Sequence, residues 1–427
     1  MTSSARILPA DADKMSTEQL TEAHVPHPGI PRAFVRSCLV IGSRGAGKTF
    51  VLRHRRHTAH PDAIYISLQK TLRSLASDAG VGGRTVIYPP DLAATLTSKA
   101  MAILATTISQ RVAERGLPEH VVVDALRPLL PRGIQPLSGA SDLPAIAKAV
   151  NGSRLDEWPE PARHLLFDFI EQVYELTSGS LALFFDRADD APLPALSLVL
   201  GLLDQSLPCL VVVAARPSVS RVLAGGFDPT LIAGDHYDVF HLGSQPYAEA
   251  WRTFLLESLT RFLAVNEVLG VPVSELSWLP HFARDSIRDA LLLAQAISTA
   301  GGSNSLDARR EVLLNVRAQR IDRARTALHP AVSDFAAFTR LVQRRCAKAL
   351  DGPPLPVVLR LGDASLQPQL SLLPAGQDRR TLTLLDGMRA EAFHYPPGTL
   401  WTPYEIPTRV ELAPLLAWNG RNDKWIQ

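Results

Sequence analysis

Gly42, Ser43, Arg44, Gly45, Ala46, Gly47, Lys48 and Thr49 stand in one unbroken run, directly after the apolar stretch Ser37-Cys38-Leu39-Val40-Ile41 and directly before Phe50, Val51 and Leu52. The spacing G-x-x-x-x-G-K-T is that of a phosphate-binding loop when a buried strand precedes it and a helix follows. Glycines let consecutive backbone N–H groups converge on phosphate oxygens, and the helix N-terminus adds positive potential. In such a loop Lys48 reaches the terminal phosphates and the Thr49 hydroxyl ligates Mg²⁺, so the run predicts a site for ATP and Mg²⁺. The alternative is a glycine-rich turn that matches by chance, but its position between strand and helix speaks against it.

A phosphate loop of this kind needs a second carboxylate for the metal. Leu181-Ala182-Leu183-Phe184-Phe185 ends in Asp186, which we assign to the Mg²⁺ shell; the alternative role is a helix-capping aspartate. The next residue, Arg187, cannot accept a proton at pH 7. Asp189 and Asp190 follow, as a catalytic base acting from a displaced position or as a solvated turn.

Two arginines are placed to read a terminal phosphate. Arg216 ends the apolar run 210–215, and ligands of parallel sheets sit at the carboxyl ends of strands. Arg288 lies in the first turn of a helix predicted from Arg284 to Thr299 and is preferred to Arg284 for this role. The alternatives are a surface arginine closing a strand and an ordinary helical ion pair of Arg288 with Asp285 or Asp289.

Together these residues resemble the AAA+ and STAND branch of the P-loop ATPases, over about residues 30–300. Lys48 and Thr49 match the first nucleotide motif, Asp186 the second, Arg216 the fourth-strand sensor and Arg288 the lid sensor. The stretch Ser286-Ile287-Arg288-Asp289-Ala290-Leu291 is similar to the lid helix of the origin-recognition and initiator-loader ATPases. The resemblance implies a parallel five-stranded sheet of order 5-1-4-3-2, a helical lid, and often a winged-helix domain behind it. It also implies a glutamate after the second-motif aspartate to activate water; Arg187 stands there instead, which predicts slow hydrolysis. Arg221 is a possible finger toward a neighbouring subunit.

The elements that must position these groups follow from periodicity. Short apolar runs at 37–41, 63–67, 181–185, 210–214 and 239–242 alternate with helix-period segments, the pattern of an α/β core with a parallel sheet. We expect a flexible leader over 1–28, an ATPase core over 29–245 with a helical insertion at about 91–178, a helical lid over 246–350, and a small β-containing C-terminal domain over 351–427. The first helix of the insertion, about 91–114, is expected to be amphipathic. In the last region, 356–361 and 381–385 are the strand candidates.

The 427 residues are 46% hydrophobic with a net charge of +2, so disorder and fibrous architectures are excluded and global charge implies no partner. No secretory signal and no uninterrupted span of about 20 apolar residues is apparent, predicting a cytoplasmic protein without a membrane partner. Three cysteines, Cys38, Cys209 and Cys346, make neither a disulfide framework nor a zinc module. The composition, rich in Ala, Arg, Leu and Pro, hints at a bacterial source. His54, His57 and His60 have no thiolate or carboxylate at ligand spacing and are expected to serve as cations at a helix end. Residues 305–350 carry ten Arg or Lys against four Asp or Glu. That excess suits a solvated helix face, a nucleic-acid backbone or an acidic protein partner. The function these readings predict is a nucleotide-dependent switch or assembly motor with slow ATP hydrolysis, acting through a protein partner or self-oligomer in bacterial defence or a DNA-associated process. The rivals are a DNA-binding initiator-like ATPase and a scaffold with a structural nucleotide.

Overall fold

The computed structural model describes residues 12–78, 89–134, 142–203, 207–216, 234–243, 248–265, 276, 278–299, 305–328, 339–340, 344, 357–360, 392–394 and 409–418. Arg221, Cys346 and the strand candidate at 381–385 lie outside the described residues.

The chain begins with helix α1 (Thr17–Glu22), then strand β1 (Cys38–Gly42), helix α2 (Lys48–Thr58) and strand β2 (Ala63–Ser67). Two short helices, α3 (Leu68–Thr71) and α4 (Arg73–Asp78), lead to four more: α5 (Pro90–Ala113), α6 (Glu119–Leu126), α7 (Leu143–Gly152) and α8 (His164–Leu176). The core resumes with β3 (Ala182–Asp186), α9 (Leu193–Gly201), β4 (Leu210–Ala215) and β5 (Asp238–Leu242). Then come α10 (Ala248–Val265), α11 (Leu279–Ala283), α12 (Ile287–Thr299) and α13 (Leu306–Leu328). Short strands β6 (Val357–Arg360), β7 (Phe393–His394) and β8 (Arg409–Leu412) precede a final turn of helix, α14 (Pro414–Ala417).

Strands β1 to β5 form one sheet of order β2-β3-β4-β1-β5 with every pairing parallel, which is the order 5-1-4-3-2 that the resemblance implies. Helices cover both faces, so β1 and β3 are buried at every position and their sequences are continuously apolar rather than alternating. One face packs on Phe169, Phe185 and Leu104, and the other on Leu52, Phe34 and Phe184. The register brings Ser67 opposite Asp186 and Ile41 opposite Ala215, so β2, β3, β1 and β4 end side by side.

Helix α5 corrects the expectation of an amphipathic helix. It is buried from Leu96 through Thr106 without a break, because α6, α7, α8 and α9 surround it. Its alanines, serines and threonines permit that close approach. Lys99 is wholly buried, and its ammonium donates to the Ser153 carbonyl at 2.6 Å. By length and composition α5 is long and apolar enough to cross a membrane, and 72% of its apolar window is buried inside the fold.

Helices α10 to α13 close a second apolar core, and Ala392, Phe393, Leu412 and residues 415–418 join it. Trp418 is fully buried edge-on against Phe282, with ring centroids 5.9 Å apart. The three C-terminal strands form an antiparallel sheet of order β6-β8-β7. From β8, Glu411 accepts two hydrogen bonds on Oε1 from Arg284, at 3.0 Å from Nε and 2.6 Å from Nη2. Arg284 sits in the turn between α11 and α12 at φ 46°, outside any helix, and its carbonyl accepts from the Trp251 indole at 2.8 Å. Burial pushes the Glu411 carboxyl up to about 7 despite the neighbouring guanidinium.

Removing one partner of such a pair strands a buried charge, so Arg284→Ala is expected to destabilise the protein by about 3–5 kcal/mol. Arg284→Ala with Glu411→Gln is expected to recover more than half of that loss in urea unfolding. Additive losses in the double variant would show that the pair is not coupled.

Candidate functional site

Strand β1 ends at Gly42 and the chain turns through Ser43 to Gly47 into α2. Gly45 and Gly47 adopt φ 85° and 96°, which a side chain disfavours, and Gly47 is the N-cap of α2. The loop therefore has the strand-to-helix cradle its sequence predicts. Lys48 is buried, and its Nζ donates back to the carbonyls of Gly42 at 2.5 Å and Ser43 at 2.8 Å. Burial lowers the Lys48 ammonium to about 8, against the opposing attraction of Asp189.

Asp186, at the end of β3, is wholly buried. Its Oδ2 accepts from the Thr49 hydroxyl at 2.7 Å and from the Tyr65 hydroxyl at 2.6 Å. Its Oδ1 is buried with no hydrogen-bond partner among the described residues. Burial raises the Asp186 carboxyl above its ordinary range, while those hydrogen bonds and the Lys48 charge oppose the shift. An orphaned carboxylate oxygen beside a threonine hydroxyl fits a Mg²⁺ shell, since Mg²⁺ takes one or two protein oxygens and fills the rest with phosphates and water. No cluster of three or more His, Cys, Asp or Glu among the described residues offers a fuller protein cage. Tyr65 was not among the sequence candidates; its position in the alternation of β2 was the only available signal.

Asp189 and Asp190 do not form a solvated turn. Asp189 is 2% exposed, and the pair holds Arg216. Arg216 Nε lies 2.9 Å from Asp189 Oδ2 and its Nη2 3.1 Å from Asp190 Oδ1, while its backbone N–H donates to Asp189 Oδ1 at 2.9 Å. Arg216 is therefore no surface arginine. All three line the cleft above Lys48, with Asp186 and Arg187.

The lid turn sits directly on the phosphate loop. The Arg288 N–H donates to the Gly45 carbonyl at 3.1 Å, and Ile287 packs on Gly47. Arg288 lines the cleft, whereas Arg284 faces Glu411, which supports the preference for Arg288. Asp289, one of the two helical partners considered for Arg288, pairs with Arg320 of α13.

The segment expected to be a flexible leader is folded back over this site from Ala12 onward. Ser16 and Gln19 close a capping box on α1, and Leu20 and Val25 are buried. Arg53 of α2 donates to the carbonyls of Ala12 and Met15, the latter at 3.0 Å. The His24 ring stacks on His54 with centroids 3.7 Å apart and planes 4° off parallel. These are contacts between distant parts of the chain, which local composition cannot register. They also correct the cationic role given to the histidines. Burial, then Arg55, lowers His24 to about 4, and burial, then His24 and Arg55, lowers His54 to about 4, so both rings are neutral at pH 7. His60 is likewise lowered by burial, and its Nε2 accepts the Phe34 N–H at 3.1 Å.

The loop, the lid and the N-terminal segment enclose a cleft of about 730 Å³. Its floor is Gly45 to Thr49 with Asp186; its apolar side includes Phe254, Phe262 and Leu291. Arg44 lines it as well, so the loop residues 44–49 all face one space, with Gly42 and Ser43 beneath as acceptors of Lys48. Seven basic side chains meet four carboxylates around it, a net excess of three positive charges.

The basic segment after Ser305 is not a uniform solvated face. Arg320 is buried on Asp289, burial lowers Arg317, Arg309 lies 6.0 Å over the Trp278 ring, and Arg323 lines the cleft. Arg310 and Arg325 pair with Asp307 and Asp322 one turn away. Arg345 and Lys348 lie outside the described residues.

No family model and no curated protein matches the sequence. Among solved structures, Cdc6p from Pyrobaculum aerophilum is similar over 93% of this chain and 90% of its own, with 13% identity and a TM-score of 0.36. Similarity at that level transfers no residue role to this chain.

The stacked histidines set a pH dependence. A ring whose folded pKa is depressed from 6.5 to about 4 contributes fully above about 6.5 and loses that contribution as pH falls toward 4. Amide exchange of residues 12–25 is expected to accelerate across that window beyond its intrinsic pH dependence. His24→Phe, which keeps a stacking ring but cannot be protonated, is expected to flatten the response. An unchanged pH profile in His24→Phe would refute the role of the stack.

Proposed function

We propose that this chain binds a nucleoside triphosphate with Mg²⁺ in the cleft between core and lid, and acts as a nucleotide-dependent switch that hydrolyses slowly. The observation that carries this reading is the Thr49–Asp186 hydrogen bond, which joins the start of α2 to the end of β3, and so the two motifs recognised in the sequence, across β4. ATP is the nucleotide by resemblance to the AAA+ and STAND ATPases. The net positive lining supports a polyanion over a neutral ligand.

In this reading Lys48 moves from the loop carbonyls onto the β- and γ-phosphates, and the backbone N–H groups of the loop hold the same oxygens. Thr49 and Asp186 hold the Mg²⁺, which when bound neutralises charge building on the phosphates. Tyr65 keeps one oxygen of Asp186 engaged, and the other is buried with no hydrogen-bond partner among the described residues. Arg288 lies on the lid side of the loop, where a terminal phosphate would draw α12 onto the core. The groups that follow Asp186 are poorly placed to take a proton from water: Arg187 occupies the next position, and Asp189 and Asp190 are engaged by Arg216. Slow turnover and a long-lived bound state follow, which suits a switch acting on a protein partner or on further copies of itself.

Lys48→Ala is expected to weaken ATP binding by at least about tenfold in titration calorimetry, the loss of a charge-assisted contact. Single-turnover hydrolysis by the parent is expected on the order of 10⁻³ s⁻¹, the range of unassisted phosphate-loop enzymes. Thr49→Ala and Asp186→Asn are expected to raise the Mg²⁺ concentration needed for tight binding. ATP binding that is indifferent to Lys48 would overturn the site; hydrolysis at many turnovers per second would overturn the switch.

A further inference from the structure

We propose that Arg187 is a further phosphate-binding residue of this cleft, held in reserve by Asp13 until a triphosphate competes for it. The proposal rests on the reading of the cleft as a triphosphate site and adds to it the means by which the N-terminal segment senses the terminal phosphate.

Arg187 follows the metal-shell aspartate at the carboxyl end of β3 and lines the cleft with Lys48 and Asp186. Its backbone is left-handed, φ 57° and ψ 41°, a conformation that residues with side chains adopt rarely and mostly where surrounding structure enforces it. A 3-10 turn over Ala188–Asp190 follows at once, with the Asp190 N–H donating to the Arg187 carbonyl at 3.0 Å. The guanidinium is three-quarters buried and spends its donors on two side chains: Nη2 on the Asp13 carboxylate and Nη1 on the Gln69 amide oxygen. Asp13 lies in the same short stretch, Ala12 to Met15, whose carbonyls Arg53 holds. Arg53 lies on α2, the helix that begins at Lys48. The stretch is thus tied to the nucleotide site from two directions, through the phosphate-loop helix and through Arg187.

A guanidinium fork takes a carboxylate and a terminal phosphate by the same pair of parallel donors. The phosphate carries more charge than one carboxylate, so a bound triphosphate competes for the fork and a diphosphate, which lacks the terminal group, does not. Transfer of Arg187 to the phosphate removes its contact with Asp13 and loosens residues 12–25. The arginine that stands where the resemblance implies a water-activating glutamate thereby adds a contact that discriminates triphosphate from diphosphate.

The test measures affinities of the full chain for a non-hydrolysable ATP analogue and for ADP, both with Mg²⁺, together with amide exchange over residues 12–25. Arg187→Ala is expected to weaken the analogue about tenfold, one charge-assisted contact, and ADP by much less. Asp13→Asn, which keeps the arginine and removes its competitor, is expected to tighten the analogue severalfold and leave ADP within twofold. In the parent the analogue, and not ADP, is expected to speed exchange over 12–25, and Arg187→Ala is expected to abolish that difference. An analogue-to-ADP ratio unchanged by both substitutions overturns the proposal even if Lys48→Ala shows the cleft to be a nucleotide site. A parent that binds neither nucleotide overturns the triphosphate reading, and this proposal with it.

Discussion

Burial of the Lys48 ammonium is the constraint around which the centre of this protein is organised. An ammonium withdrawn from water is costly unless charges and carbonyls replace its hydration. Here two loop carbonyls accept from it, and Asp186, Asp189 and Asp190 surround it from the end of β3 and the turn beyond. Those carboxylates then need partners of their own. Arg216 from β4 takes two of them, and Thr49 and Tyr65 share one oxygen of the third. The parallel order of β2, β3, β4 and β1 is what brings all of these groups to one edge.

That cluster also explains the chemistry the site is suited to. Carboxylates already committed to an arginine are poor general bases, and an arginine follows Asp186 where water activation calls for an acceptor. On the proposed reading the site is better equipped to hold phosphates than to cleave them. The lid turn reinforces this bias, because it touches the phosphate loop through the backbone at Gly45 and reaches the C-terminal sheet through Arg284 and Glu411. A change in how the lid sits on the loop has a direct structural route to residues more than a hundred positions downstream.

The N-terminal segment is the part of the site that a local reading of the chain misses most completely. Its composition is polar and mixed, yet Asp13, Met15 and His24 meet groups on α2 or just after β3, and Val25 packs with Trp251 and Phe254 of α10. Helix α5 misleads for a related reason. Its periodicity suggests one buried face, but four neighbouring helices bury it all round, and small polar side chains that look exposed on a helical wheel are inside. The basic run after Ser305 is divided: Arg320 is inside on Asp289, whereas Arg323 and Arg325 are exposed.

What the sequence by itself determined was whatever depends on neighbours in the chain. The glycine spacing of 42–49, the strand before it, the apolar run ending in Asp186 and the succession of strands and helices are local patterns, and they led to the parallel α/β core and the phosphate cradle, whereas the sheet order came from the family resemblance. The tertiary structure alone decided which charges neutralise which. Asp189 with Arg216, Asp13 with Arg187, Glu411 with Arg284 and Tyr65 with Asp186 are pairings across long separations. The energy of such a pair depends on distance in space and on the water excluded around it, neither of which residue order records.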